Sequence, residues 1–143
     1  MEERYMSKLL VDLLLEREQE GKKQILLFWA GYLGNVYDLP GGHVEKNEDI
    51  YMAAVREATE ELGIQISKEN LELVHIYHRF KKDSMRFVFK VKKYDGKIIN
   101  TEPQNHEKME WHNINELPKE LFPVIKKVIV NIEKGIFYDS DTM

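Results

Sequence analysis

Between Leu39 and Ile64 the chain reads LPGGHVEKNEDIYMAAVREATEELGI. A proline and two glycines stand one short loop ahead of a strongly helical run, and no other stretch constrains the fold as tightly. Gly41 and Gly42 can take backbone conformations closed to other residues, and they let a ligand or cation come close to the main chain. The pattern that follows predicts a helix from Asp49 to Leu62. Asn47 or Asp49 can cap its start, because a short side-chain oxygen accepts from the orphan amides there. Gly63 stands where a left-handed C-terminal stop belongs.

The helix carries its acids in a cluster. At about 100° per residue, Glu61 lies about 40° to one side of Glu57 and Glu60 about 60° to the other. Three carboxylates thus share one arc, with the small Ala53 beside them. Tyr51, Ala54, Val55, Ala58 and Leu62 lie on the adjoining arc and are expected to pack on a sheet. Exposed like charges at these spacings repel by a few tenths of a kcal/mol per pair. A hard divalent cation turns that repulsion into a site, and magnesium favours such oxygen ligands. Plainer readings exist for each part. Charged helix faces are usually solvated, Arg56 can simply pair with Glu60, and Pro-Gly-Gly alone is an ordinary turn. The glycine turn and the acidic helix together, at a fixed spacing, favour the cation site.

The rest of the chain supplies strands. Lys8 to Leu15 and Gln24 to Ala30 are apolar runs separated by EREQEGKK, which suggests a hairpin or two neighbouring strands with Gly21 in the turn. VYDLPGGHV reads as a short strand running into a glycine turn. LELVHIYHRF and MRFVFKVKKY look like two strands joined at KKDS, and KMEWH like another. PVIKKVIVNIEKG is an amphipathic helix with Val124, Ile125, Val128, Ile129 and Ile132 on one side. Strands interspersed with two helices suggest a mixed sheet flanked by helices.

Composition narrows the function. The 143 residues suffice for one domain with one core, 43% of them are hydrophobic, and the net charge is −4. A nucleic-acid polymer wants a basic stripe, so it is not expected as partner. A small phosphorylated ligand is compatible, since a cation can bridge two anions. There is no cysteine, which removes disulfides, thiolate metal sites and cysteine nucleophiles and fits a cytoplasmic enzyme. The N-terminal apolar run is interrupted by Asp12 and is too short to span a bilayer.

The glycine turn and its helix fill the pattern G-x5-E-x7-R-E-U-x-E-E-x-G-U, where U is apolar. Gly42, Glu48, Arg56, Glu57, Ala58, Glu60, Glu61, Gly63 and Ile64 occupy its defined positions. The chain therefore resembles small MutT-like Nudix hydrolases, with residues 42–64 as the Nudix box. Glu102, Pro103, Trp111, Leu117 and Pro118 extend the likeness toward the C-terminus. The resemblance implies one domain over residues 1–143, an α/β/α sandwich around a central mixed β-sheet. It implies cleavage of a nucleoside diphosphate linked to another moiety, with a nucleoside triphosphate or modified nucleotide as the favoured substrate.

Carried over residue by residue, Glu57, Glu60 and Glu61, with the Gly42 carbonyl, hold Mg2+ or Mn2+. Glu48 and Arg56 brace the loop and orient the glutamates. The general base is Glu57 within the box, or Glu107 or Glu102 outside it. Gly41, His43, Arg86 and Phe80 are candidate substrate contacts. Arg79, Lys81 and Lys82 offer phosphates a weaker welcome, and Phe28, Tyr32, Tyr37 and Phe87 are further stacking candidates. Family members are often dimers, so a homodimer is an expectation. A sensor that binds a nucleotide without cleaving it is the alternative, although such domains usually lose box glutamates. An isomerase on the same fold would want a catalytic cysteine.

Overall fold

The computed structural model of the chain describes residues 3–104 and 108–142. In order these form β1 (Lys8–Leu14), β2 (Glu16–Gln19), β3 (Lys22–Ala30), β4 (Val36–Asp38), β5 (Gly41–His43), α1 (Ile50–Leu62), β6 (Leu71–Arg79), β7 (Ser84–Val91), β8 (Met109–Asn113), α2 (Pro123–Glu133) and β9 (Tyr138–Ser140). One sheet runs β5-β1-β7-β6-β9, with β1/β7 and β6/β9 parallel and the other two pairings antiparallel. The second sheet is antiparallel, with β2, β4 and β8 all paired to β3.

The expected hairpin exists but joins other partners. Glu20 and Gly21, both at positive φ, turn the polar β2 back onto β3. β1 leaves for the other sheet, where it is covered on both edges by β5 and β7. β5 and β9 are strands that the sequence did not announce. Each is three residues long, too short for an alternation pattern, and β5 is built from the glycine turn itself.

The sheets form a middle layer with a helix on each side. Against α1 pack Val11, Leu13, Leu26, Phe28 and Phe89; against α2 pack Leu14, Ile25, Leu27, Tyr77 and Val88. The period-2 alternation of β-strands explains the split: Ile25 and Leu27 face one helix, Leu26 and Phe28 the other. α1 sits close because Ala53, Ala54 and Ala58 are all fully buried at its contact face. Among the described residues no helix is long and apolar enough to cross a membrane.

Asp49 proves to be the helix cap. Its carboxylate accepts from the Met52 amide at 2.8 Å, while Asn47 sits in the preceding loop at φ 67°. Gly63 closes the other end at φ 67°. Replacing Asp49 with alanine is expected to lower stability by about 1 kcal/mol, read as a shift of the urea midpoint at unchanged slope. An unmoved midpoint would mean that tertiary contacts alone hold the first turn.

Candidate active site

The site is built where β5 meets α1. Val11 pairs with Gly42 and Asp12 with Gly41, so the two glycines are an edge strand rather than a free loop. At Gly41 a Cβ would lie 2.0 Å from the Val11 carbonyl oxygen, so only glycine lets β5 approach β1 this closely. At Gly42 the space is taken from the other side: a Cβ would lie 2.3 Å from Glu57 Oε1. The missing side chain is the seat of the carboxylate.

Glu57 and Glu61 both face this edge. They are 8% and 4% exposed, whereas the Glu60 side chain is 53% exposed. The arc of three acids is therefore split: two turn inward with the alanines, and Tyr51 and Val55 move to the margin. Glu61 Oε1 accepts from the Gly41 amide at 2.8 Å, and Glu61 also shares a hydrogen bond with Glu57. Burial raises both carboxyl pKa values, and each acid feels the charge of an acidic neighbour. Burial first, then the charge of Glu57, pushes Glu61 up to about 9, and Glu102 adds to the effect. Arg56, which donates to Glu57 at 2.8 Å, opposes the rise at Glu57, so a proton is held more readily at Glu61.

Arg56 ties the loop to the helix. Its Nε and Nη2 each donate to Glu48 at 2.9 Å, and Nη2 also donates to the His43 carbonyl at 2.9 Å. Nη1 reaches Glu57 at 2.8 Å and Glu60 at 3.0 Å. This fork holds the Glu48 carboxyl down at about 2. Glu48 in turn accepts from the Glu45 amide at 2.9 Å. One guanidinium thus fixes loop, helix start and the orientation of an inward glutamate.

The groups that could hold a divalent cation are the Glu57 and Glu61 carboxylates beside the Gly41–Gly42 backbone. Two buried acids that must otherwise share a proton suit such an ion. Among the described residues no three or more acidic or histidine side chains converge as a ready-made ligand set. Glu60 stands apart from the pair, exposed and bonded to Arg56 at 3.0 Å.

Beside this pair opens a pocket of about 200 Å3, whose lining includes Gly41, Gly42, His43, Glu61, Arg79, Arg86 and Phe122. Arg86 is buried and forks onto Asp12 at 2.8 Å twice and onto Asp38 at 3.0 Å. Its charge is already spoken for. Phe80 is not among the lining residues; it packs edge-on to His78 in the turn after β6, and Phe122 provides the ring instead. Of the other aromatics Phe28 lines the pocket, while Phe87 packs on the α1 side. Glu102 lies near Glu61, and Glu107 falls outside the described residues. Sequence reasoning missed Asp12, Asp38 and Phe122. Asp12 did carry a signal, as an acid inside an otherwise apolar strand.

Two predictions follow from the glycines and the shared proton. Gly42→Ala displaces only the end of a flexible side chain, so it is expected to fold with stability changed by less than about 1 kcal/mol while misplacing Glu57. Gly41→Ala meets backbone and is expected to cost more than about 2 kcal/mol. Equal melting shifts for the two would contradict the geometry. In EDTA, folded Glu61 keeps its proton to about 9, whereas the ordinary value is 4.5. The folded state then binds the extra proton, so stability falls as pH rises from about 5 to 9. Glu61→Gln is expected to flatten that slope in melting curves; an unchanged slope would place the proton elsewhere.

The NUDIX domain family model matches residues 6–132. The chain is 30% identical over 114 residues to an 8-oxo-dGTP diphosphatase of Buchnera aphidicola subsp. Acyrthosiphon pisum, covering 79% of this chain and 89% of that protein. It is 39% identical over 61 residues to an asymmetrical bis(5'-nucleosyl)-tetraphosphatase of Caenorhabditis elegans, covering 43% of each. The fold superimposes on a MutT NUDIX hydrolase from Burkholderia pseudomallei with a TM-score of 0.75 at 22% identity, covering 87% of this chain and 97% of that one. The architecture is thus the α/β/α sandwich of that fold, and the chain belongs to the Nudix hydrolase family.

Proposed function

We propose that the chain is a metal-dependent pyrophosphohydrolase that cleaves a nucleoside diphosphate linked to another moiety, with a nucleoside triphosphate or modified nucleotide as its preferred substrate. The observation that carries this reading is the pair Glu57 and Glu61, buried side by side against Gly41 and Gly42 beside the pocket that Glu61 lines. The names of the Buchnera and Caenorhabditis relatives, both enzymes of nucleoside polyphosphates, support the same class.

Glu57, Glu61 and the Gly42 carbonyl would hold Mg2+ or Mn2+, with Glu60 free to join by leaving Arg56. When bound, the ion neutralises diphosphate charge and lowers the pKa of a coordinated water. The chain's own residues do the rest. Arg56 and Glu48 fix the loop, so that the carboxylates cannot relax away from the glycines. Glu57, Glu102 or Glu107 takes the proton from the attacking water. The buried floor of the pocket excludes bulk water and takes the substrate's other end. Its volume of about 200 Å3 lies below the roughly 300–1,000 Å3 of sites that enclose a whole drug-sized ligand. It suits one ring, with the phosphates left over the glycines.

The test is a panel of nucleotides, sugar nucleotides and dinucleotide polyphosphates with Mg2+ or Mn2+, reading released phosphate and pyrophosphate. Hydrolysis is expected for at least one nucleoside polyphosphate and none in excess EDTA. Glu57→Gln and Glu61→Gln are each expected to lower kcat by at least about 100-fold, the scale of losing one group that stabilises transition-state charge, with the fold intact by circular dichroism. Full rates in EDTA, or in both variants, would overturn the assignment.

A further inference from the structure

β4 belongs to one sheet and β5 to the other, so the chain passes between the sheets from Asp38 to Gly41. That crossing sets where the Gly41 amide points, and the amide donates to Glu61 at 2.8 Å. β5 has three residues and pairs on one side, with β1. So short an edge carries few ladder bonds of its own, and its placement depends on whatever else holds the crossing.

Arg86, in β7, holds that crossing from two flanks. Its Nε and Nη2 donate to Asp12 at 2.8 Å, and Asp12 stands opposite Gly41 in the β1/β5 ladder. Nη2 also donates to Asp38 at 3.0 Å, at the end of β4. Asp38 Oδ1 accepts from the Leu39 amide at 2.7 Å as well, and the Leu13 amide donates to the Pro40 carbonyl at 2.8 Å. One buried guanidinium thus joins β1, β7 and the end of β4. Charge-assisted bonds to a planar fork are short and directional, so what they supply is position. Nε and Nη2 are taken up by acids, and Cζ lies over the Phe122 ring at 5.5 Å. The side chain is built into the wall of the pocket rather than held out to a ligand.

We propose that Arg86 is a positioning residue: through Asp12 and Asp38 it holds the Gly41 amide against Glu61 and keeps the glycine edge where a divalent cation would be bound. It acts through these residues and contacts neither the cation nor the substrate. The inference rests on the metal-dependent reading above. Removing a group that orients metal-binding residues typically costs roughly 10- to 100-fold in metal affinity or activity.

The experiment titrates Mn2+ into the chain without substrate, reading the free ion by electron paramagnetic resonance, and measures kcat and KM for the best nucleotide of the panel at saturating Mn2+. Asp38→Ala removes the hold on the crossing and leaves Arg86 and Asp12 as a balanced pair, so it is expected to fold. It is expected to weaken Mn2+ binding by roughly 10-fold or more and to lower kcat, with KM little changed. Asp38→Asn keeps an acceptor oxygen for Arg86 and Leu39 and is expected to retain most of the affinity. Arg86→Lys keeps the charge but cannot fork across both acids, and is expected to fall between. Val128→Ala, a core truncation in α2, lowers the melting temperature away from the site and is expected to leave Mn2+ affinity unchanged. Unchanged affinity in Asp38→Ala and Arg86→Lys, a loss in Asp38→Asn as large as in Asp38→Ala, or a like loss in Val128→Ala overturns the inference. A raised KM with unchanged Mn2+ affinity in Arg86→Lys also overturns it, by making Arg86 a substrate contact. A chain that binds Mn2+ but hydrolyses nothing in the panel sinks the enzymatic reading, while the Mn2+ affinities of the variants still decide this one.

Discussion

Two carboxylates kept out of water against a backbone without side chains are the feature around which the rest is arranged. Glu57 and Glu61 lie on the buried face of α1 among alanines, where apolar residues would ordinarily sit. They can be there only because Gly41 and Gly42 leave room and one amide. A buried ionised carboxylate is expensive unless something compensates it. The protein compensates with one arginine and one proton. In the proposed hydrolase a cation would take the place of that proton.

Arg56 makes the arrangement rigid. Surface ion pairs usually contribute little, but here a single guanidinium contacts Glu48, Glu57, Glu60 and the His43 carbonyl at once. The fork on Glu48 and the bond to the His43 carbonyl are independent of the exposed Glu60 contact. The loop between β5 and α1 is thereby fixed by side-chain bonds where regular secondary structure is lacking. The helix cap Asp49 and the bridge between the Glu45 amide and Glu48 add to the same constraint.

Much of this was legible in the sequence, and the limits have physical causes. The helix from Asp49 to Gly63 and its glycine turn could be read almost to the residue, because caps, stops and acidic spacing are local. Which acids turn inward could not. Periodicity places Glu57, Glu60 and Glu61 on one arc, but the inward direction is set by β5, whose strand character depends on pairing with β1. Phe80 and Phe122 show the same limit. Phe80 sits beside strand residues and looks available, yet the turn carries it to His78; Phe122, inside a proline-rich breaker, is delivered to the pocket by the start of α2. Asp12 was visible only as an interruption. Its partner Arg86 lies 74 residues away, and nothing local links them.

The cluster of Asp12, Arg86 and Asp38 also divides the pocket into two kinds of surface. A buried ion pair seldom stabilises more than well-packed apolar residues of the same volume, so folding alone does not explain it. Its consequence is electrostatic. Burial pushes the Asp38 carboxyl up to about 6, while the two acids hold Arg86 firmly charged. The floor then carries buried, hydrogen-bonded charges in fixed positions, whereas the other face, at Glu57 and Glu61, is acidic. An anionic ligand can approach that acidic face only when a cation intervenes. In the proposed hydrolase the acidic face would carry the chemistry, and the buried cluster beside it would shape the rest of the pocket.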